Sequence, residues 1–370
     1  MKVALVHDHL TQDGGAEKVL RALADIFPNA PIYTLLCDPE FDRVFSGRTI
    51  ATSIIQKLPG GIKHYQWYLP LMPMAVEFFD LRAYDLVISD ASAFAKGVIT
   101  SPETLHICYC HTPTRYLWDY THQYINELRF NRYFKKIISL TLNYVRLWDR
   151  QAADRPDLFL ANSETVRRRI RKYYRREATV IYPPVNVRQF SPASGIGKYF
   201  LAGGRLAPYK RLDIVVEAFK KSDEPLVIYG SGVDEPRLKK MALGAKNIEF
   251  TGRVDDRRLA ELYQNARAFL YPQEEDFGIT AVESMAAGRP VIAYRRGGAR
   301  ETVLEGQTGI FFDEQTADGL AAAVVRFKSM AFNAAAIRAQ AEKFSDANFR
   351  QAISAYIENA YARWQKNDLS

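Results

Sequence analysis

Short β-branched and aliphatic runs alternate with helix-period stretches along almost the whole sequence, and this alternation permits few folds. Strands separated by helices pair in parallel, as successive βαβ units. In the first half the pattern predicts strands at 3–7, 32–36, 85–89, 105–110, 158–161 and 178–182, with helices at 16–27, 128–153 and 164–174. Residues 183–195 then concentrate Pro, Ser and Gly, after which the rhythm restarts. Strands are predicted at 199–203, 226–229, 248–251, 268–271 and 290–293, with helices at 209–221, 255–265 and 279–287. Beyond Thr316 the pattern is helical, broken at 344–346. The expected class is α/β, with two doubly wound Rossmann-like domains.

A chain of 370 residues exceeds what one hydrophobic core usually organises. Domains are expected at 1–185 and 186–345, with a last helix, 346–370, crossing back to the first. The longest uncharged run, 64–76, is interrupted by Pro70 and Pro73 and falls short of the roughly 18 to 20 apolar residues of a membrane span. The strand-like start at Val3 leaves no room for a signal peptide, so a cytoplasmic protein is expected. Cys37, Cys108 and Cys110 cannot all pair and lack the Cys-x-x-Cys spacing; they read as reduced, small apolar residues.

In an open parallel sheet, ligands bind at the carboxyl ends of the strands, so the loops that follow strands carry the chemistry. Gly14-Gly15 opens the first helix, where backbone amides can approach an anion. Gly203-Gly204-Arg205 leads to Lys210 and Arg211 at another strand-to-helix turn; a guanidinium and a reaching ammonium there suit a diphosphate. In the loop before the helix at 279, Glu275 precedes Gly278, which lets the helix start approach a ligand, and Glu283 lies one turn into that helix. Two carboxylates at that separation can address two polyols of one extended ligand.

Glu275 and Glu283 with seven residues between them, the Gly-Gly-Arg-Leu-x-x-x-Lys-Arg loop and Met285-Ala-Ala-Gly-Arg-Pro-Val-Ile292 resemble the retaining glycosyltransferases of family 4. Ala161-Asn162-Ser163, Tyr182-Pro183-Pro184-Val185 and Gly252-Arg253-Val254 follow in the same order, so the resemblance spans nearly the whole chain. It implies the GT-B fold, two Rossmann-like domains facing across a cleft, the first binding acceptor and the second a nucleotide diphosphate sugar. Arg205 and Lys210 would hold the diphosphate, and Glu283 the ribose. Glu275 and the backbone at Phe277, Gly278 and Ile279 would hold the sugar, Arg253 and Val254 would read the base, and Gly14 and Gly15 would contact the donor. His111, in Cys110-His-Thr-Pro-Thr-Arg115, would stand beside the sugar, in preference to the other five histidines. Asp276 departs from the Gly of many members. Glu275-Asp-Phe-Gly-Ile279 and His111-Thr-Pro-Thr-Arg-Tyr-Leu-Trp-Asp119 resemble the mannose-transferring branch of bacterial O-antigen and exopolysaccharide synthesis, which favours GDP-mannose over UDP-sugars.

No cofactor and no metal are expected: Asp-x-Asp is absent, and in His7-Asp8-His9 neighbouring side chains of a strand end point to opposite faces. A GT-B-like epimerase or phosphorylase is the alternative enzyme. Gly230-Ser231-Gly232 lacks the third glycine of a dinucleotide fingerprint. The net charge of +8 is concentrated: residues 129–188 hold 15 Lys/Arg against 5 Asp/Glu. A nucleic-acid binder is the non-enzyme reading, but nothing in Arg167–Arg176 supplies base readout, so no nucleic acid is expected. The basic segment instead suggests an anionic membrane surface, where the acceptor would ride on a lipid diphosphate. Arg129, Arg132 and Lys136 would share one helix face and Arg168, Lys172 and Arg175 another, while Ile137, Ile138, Leu140, Leu142, Val145, Leu147 and Trp148 would be largely core.

Overall fold

A computed structural model describes residues 1–12, 14–45, 47–128, 130–192, 195 and 197–366; Asp13 and Arg129 lie outside the described residues. The chain forms two compact units, Met1–Pro183 together with Phe349–Ser370, and Pro184–Asn348. In the first, β1 (Val3–His7), β2 (Ile32–Thr34), β3 (Ile50–Thr52), β4 (Leu86–Ala91), β5 (Leu105–Cys110), β6 (Leu158–Ala161) and β7 (Thr179–Val180) make one parallel sheet in the order β3-β2-β1-β4-β5-β6-β7. Val3 and Leu5 of β1 pack into the core on one face, Ala4 and Val6 into the core on the other. This two-sided burial is why β1 is apolar at every position up to His7. Phe349, Ile353, Ile357 and Ala360 of the last helix, Asp346–Gln365, fill the face that also receives Leu5, Ile88 and Ile107.

The second unit repeats the plan with β8 (Tyr199–Gly203), β9 (Leu226–Tyr229), β10 (Ile248–Gly252), β11 (Ala266–Tyr271), β12 (Val291–Tyr294) and β13 (Gly309–Phe312), ordered β10-β9-β8-β11-β12-β13 and parallel throughout. In each sheet the winding reverses once, between β1 and β4 and between β8 and β11. These reversals open the crevices in which doubly wound sheets bind ligands.

Two strands were not expected from the sequence: β3, of three residues, and β13, which opens on a glycine. Both are too short to display an alternation of their own. The predicted 128–153 helix begins at Arg132, because Asn131 caps it by accepting the amides of Tyr133 and Phe134, both at 3.0 Å. The predicted 164–174 helix is α-helical only over Glu164–Arg169. It widens to a π-turn at Ile170–Tyr174 and stops at Arg175, which is left-handed at φ 55°. Arg168, Lys172 and Arg175 therefore do not share a regular helix face. The expectation that 137–148 is largely core also fails in part: Leu142, Val145 and Trp148 are buried, but Ile137, Leu140 and Leu147 are exposed. Among the described residues no helix is long and apolar enough to cross a membrane. Cys37, Cys108 and Cys110 are buried, and no disulfide joins them.

Candidate active site

At the reversal of the second sheet, β8 and β11 both deliver ionised residues. Leaving β8, the chain passes Gly204 and the exposed Arg205, then makes one 3-10 turn, Pro208–Lys210. Arg211 ends that turn at φ 53°, its guanidinium held by Asp213 at 3.1 Å and Gln315 at 3.0 Å. The turn aims Lys210 inward, and its ammonium donates to Glu275 Oε1. Glu275 Oε2 accepts the Tyr271 hydroxyl at 2.7 Å. Burial opposes the charge on Lys210, yet the facing Glu275 carboxylate outweighs it and raises the ammonium pKa above its ordinary value. The Tyr271 phenol is pushed well up by burial and by the same carboxylate, so it stays a donor.

Gly278 sits at φ +93°, and a Cβ there would lie 2.5 Å from the Tyr271 hydroxyl. Only glycine lets this helix, Ile279–Ala286, start against Tyr271 and Glu275. Its N-cap residue, Gly278, has no side chain with which to cap that start. Glu283, on the next turn, is buried and accepts the Tyr263 hydroxyl at 3.3 Å; Tyr263 is in turn hydrogen-bonded to Tyr229 at 2.8 Å. Burial, then the neighbouring phenol and carboxylate, keeps Tyr263 protonated. Phe277 is buried edge-on to Phe344, and Ile279 is half-buried. Two buried oxygens in this region, Gln273 Oε1 and Thr280 Oγ1, have no hydrogen-bond partner, and Thr280 lies beside Gly204. Unmatched buried oxygens beside a cation and an open helix start suit a ligand with hydroxyls and phosphates. Arg253, exposed, and Val254, half-buried, follow β10 at the same end of the sheet.

At the reversal of the first sheet, three ionisable side chains meet. Asp90 on β4 binds His111 Nε2 through Oδ1 at 2.6 Å and His7 Nδ1 through Oδ2 at 2.8 Å. His7 Nε2 lies 3.8 Å from Glu17, whose other oxygen accepts the Gly14 amide at 2.8 Å. A continuous chain of groups thus links Gly14, Glu17, His7, Asp90 and His111. Burial opposes charge on His7, but the Asp90 hydrogen bond and the two carboxylates prevail and raise it from 6.5 to about 10. Burial pushes Asp90 up, while His111 and His7 pull it further down, to a net value below its ordinary one. Because Glu17 takes the Gly14 amide, an anion at this turn would meet Gly15 and the amides beyond it, which narrows the expectation placed on Gly14.

The loop carrying His111 is anchored from below by Asp149, itself 1% exposed. Its carboxylate accepts Lys96 at 2.6 Å, Thr114 at 3.0 Å, the Trp118 indole at 2.7 Å and the Tyr174 hydroxyl at 3.0 Å. Asp8 is held as firmly, accepting the amides of Ser92, Ala93, Phe94 and Ala95 at 2.6 to 2.8 Å. The sequence alone favours His111 over His7 and gives no role to Asp90, Glu17 or Asp149. The available signal was an Asp at the end of each of two adjacent strands.

Residues 13–189 match Glycosyltransferase Family 4, and residues 186–344 match Glycosyl transferases group 1, so the two families together account for most of the chain. The chain belongs to glycosyltransferase family 4. This family 4 member is 35% identical over 119 residues to the D-rhamnosyltransferase WbpZ of Pseudomonas aeruginosa, covering 30% of this chain and 31% of that one. It is 39% identical over 111 residues to a GDP-mannose-dependent alpha-mannosyltransferase of Mycolicibacterium smegmatis, covering 30% and 29%. The matched stretches thus span about a third of these relatives. Anabaena HepE, solved with UDP and glucose, superposes with a TM-score of 0.71 at 18% identity over 97% of this chain and 99% of that one. The fold is GT-B, built from two Rossmann-like domains.

Proposed function

We propose that this protein is a retaining hexosyltransferase that moves mannose from GDP-mannose to a saccharide acceptor on a lipid diphosphate, in the synthesis of a cell-surface polysaccharide such as an O-antigen or exopolysaccharide. The observation that carries the reading is the Lys210–Glu275–Tyr271 group at the ends of β8 and β11, one helix start away from Glu283. Arg205 and Lys210 would neutralise the diphosphate as it departs, and preorganised charge of this kind is worth on the order of a hundred to a thousandfold in rate. Glu283, and the backbone at Arg253 and Val254, would hold the nucleoside. Glu275 and the amides from Phe277 to Ile279 would hold the sugar, and Asp90 would orient His111 to contact it.

Retention by double displacement needs a carboxylate free to attack C1. Both oxygens of Glu275 already accept hydrogen bonds, from Lys210 and Tyr271, which suits it to hold a sugar hydroxyl rather than to form a glycosyl ester. Attack from the face of the leaving group is therefore favoured. The C1–O bond to the diphosphate breaks, the acceptor oxygen bonds C1, and the acceptor proton passes to the departing phosphate oxygen. A divalent ion has no part in this scheme.

Support for mannose comes from the GDP-mannose-dependent relative and from the sequence around Glu275 and His111. HepE, with its UDP, makes UDP-glucose the competing donor to test. Nucleotide release should be measured with a panel of GDP- and UDP-sugars, with and without chelator, and the product anomer assigned by NMR. Release of GDP from GDP-mannose, undiminished by chelator, with an α-linked product is expected. Turnover of UDP-sugars only, a β-linked product, or dependence on a divalent ion would each overturn the corresponding part.

A further inference from the structure

The helix Arg132–Ala152 has two apolar faces, and only one belongs to the core. Leu142, Val145, Trp148 and Ala152 pack into the first unit's hydrophobic cluster. Elsewhere on the same helix Tyr133, Ile137, Leu140, Tyr144 and Leu147 are 63, 59, 73, 54 and 62% exposed. At 3.6 residues per turn these five fall in one stripe about 80° wide. Phe130, just before the helix, and Phe134, beyond one edge of the stripe, are also exposed, with rings 6.2 Å apart. Single exposed apolar residues are ordinary, but a second stripe in register along most of a long helix is not.

Charge identifies what would cover the stripe. From Leu128 to Trp148 the sequence has no Asp or Glu, while Arg132, Lys135, Lys136 and Arg146 fall in the same span. Lys135 and Arg146 are engaged, donating to the carbonyls of Asn126 and Leu117. Lys136 and Arg132 are exposed along one border of the stripe, and the Arg132 guanidinium lies 5.0 Å from the Tyr133 ring. A second copy of this chain, docked about a two-fold axis, would set these cations against themselves. An anionic lipid surface complements both features: apolar side chains enter the acyl boundary, aromatic residues sit at headgroup level, and cations meet phosphates.

We propose that this face docks on an anionic bilayer, with Tyr133, Ile137, Leu140, Tyr144 and Leu147 submerged and Arg132 and Lys136 against lipid phosphates. Docking requires neither donor nor acceptor, so its failure and the failure of the proposed reaction are separable.

The full chain should be co-sedimented with vesicles of phosphatidylcholine alone or mixed with phosphatidylglycerol, at low and high salt. Binding is expected with phosphatidylglycerol and weakens with salt. In the Ile137→Ser/Leu140→Ser/Leu147→Ser variant it should fall at least about tenfold at low salt, with nucleotide release unchanged. A Leu140→Trp variant, independent of how the triple variant folds, should gain fluorescence that shifts to the blue on anionic vesicles and is quenched by brominated acyl chains. Wild-type protein left in the supernatant at low salt overturns the proposal, as does a folded triple variant that binds normally, or a bound Leu140→Trp protein whose added fluorescence is unquenched. A concentration-dependent dimer abolished by the triple variant, without vesicle binding, would assign the face to a second copy instead.

Discussion

Replacing Asp90 by Asn should change how the stability of the first unit depends on pH, and the size of the change follows from His7. The imidazole has a pKa of 6.5 when free and about 10 in the fold, so between those values the folded state holds one proton that the unfolded state lacks. Stability from this group is complete below pH 6.5 and is lost as pH rises through 10. The slope is about −1.4 kcal/mol per pH unit and the full effect about 5 kcal/mol. From pH 7 to pH 9 the wild-type protein should lose about 2.5 kcal/mol. In Asp90→Asn the hydrogen-bonded carboxylate is gone, Glu17 at 3.8 Å is the remaining attraction, and burial favours the neutral ring. The slope should then nearly vanish.

The variant should be several kcal/mol less stable at pH 7, because His7 and His111 lose a buried partner, and the gap should narrow toward pH 9. The assay is favourable, since Trp67, Trp118, Trp148 and Trp364 all belong to the first unit. Urea unfolding followed by tryptophan fluorescence therefore reports that unit. Parallel stability curves for the two proteins from pH 7 to pH 9 would refute a protonated His7 held by Asp90.

Arg205→Ala and Lys210→Met should each reduce nucleotide release about a hundredfold or more. Only the second should lower the melting temperature, because Arg205 is exposed while Lys210 is the buried partner of Glu275; equal melting losses would contradict that difference. Glu283→Gln should chiefly raise the KM for donor and Glu275→Gln chiefly lower kcat, so the reverse pattern in steady-state kinetics would exchange their roles. Gly278→Ala should lower both stability, by about 1 to 3 kcal/mol, and kcat, because the new methyl displaces the Tyr271 hydroxyl that holds Glu275; normal turnover would show that Tyr271 does not position Glu275. Burial, with the Arg155 and Arg176 charges, holds His106 at about 3. Its contribution is present above pH 6.5 and lost as pH falls toward 3, so His106→Asn should flatten the acid limb of the same urea titrations.

What could be read from the sequence differs between the two units for a physical reason. In the second, most of the groups lie close along the chain: Tyr271, Glu275, Gly278 and Glu283 fall within thirteen residues, where local turn and helix geometry places them, and Lys210 joins from the end of the adjacent strand β8. In the first, His7 and Asp90 lie on β1 and β4 and His111 just past the end of β5, and their meeting depends on β1 pairing with β4 and β4 with β5. The registers that align His7 with Asp90 and Cys110 with Ala91 are products of tertiary packing, which no local motif records. The stripe on Arg132–Ala152 was misjudged for a related reason. Apolar periodicity states that a face must be covered, and Ile137, Leu140 and Leu147 satisfy that rule as readily against lipid as against a sheet.

The two reversal points also show why buried ions recur at these positions. Where the winding changes direction, the loops after the two central strands diverge, and the polar ends of both strands are left without a covering helix. A carboxylate there needs partners, and each unit supplies them differently. At the ends of β1 and β4, Asp8 takes four backbone amides and Asp90 takes two imidazoles, so each negative charge is matched within the unit. At the ends of β8 and β11, Glu275 accepts from the Lys210 ammonium and the Tyr271 phenol beside a helix start whose N-cap is Gly278, and the buried Gln273 Oε1 and Thr280 Oγ1 are unmatched. A diphosphate arriving at that helix start would share the Lys210 ammonium with Glu275, and the carboxylate, still held by Lys210 and Tyr271, would accept a sugar hydroxyl through a remaining lone pair. On this account the Lys210–Glu275 pair would persist when donor binds, each group adding one charge-assisted contact to the ligand, so the carboxylate would stay engaged throughout.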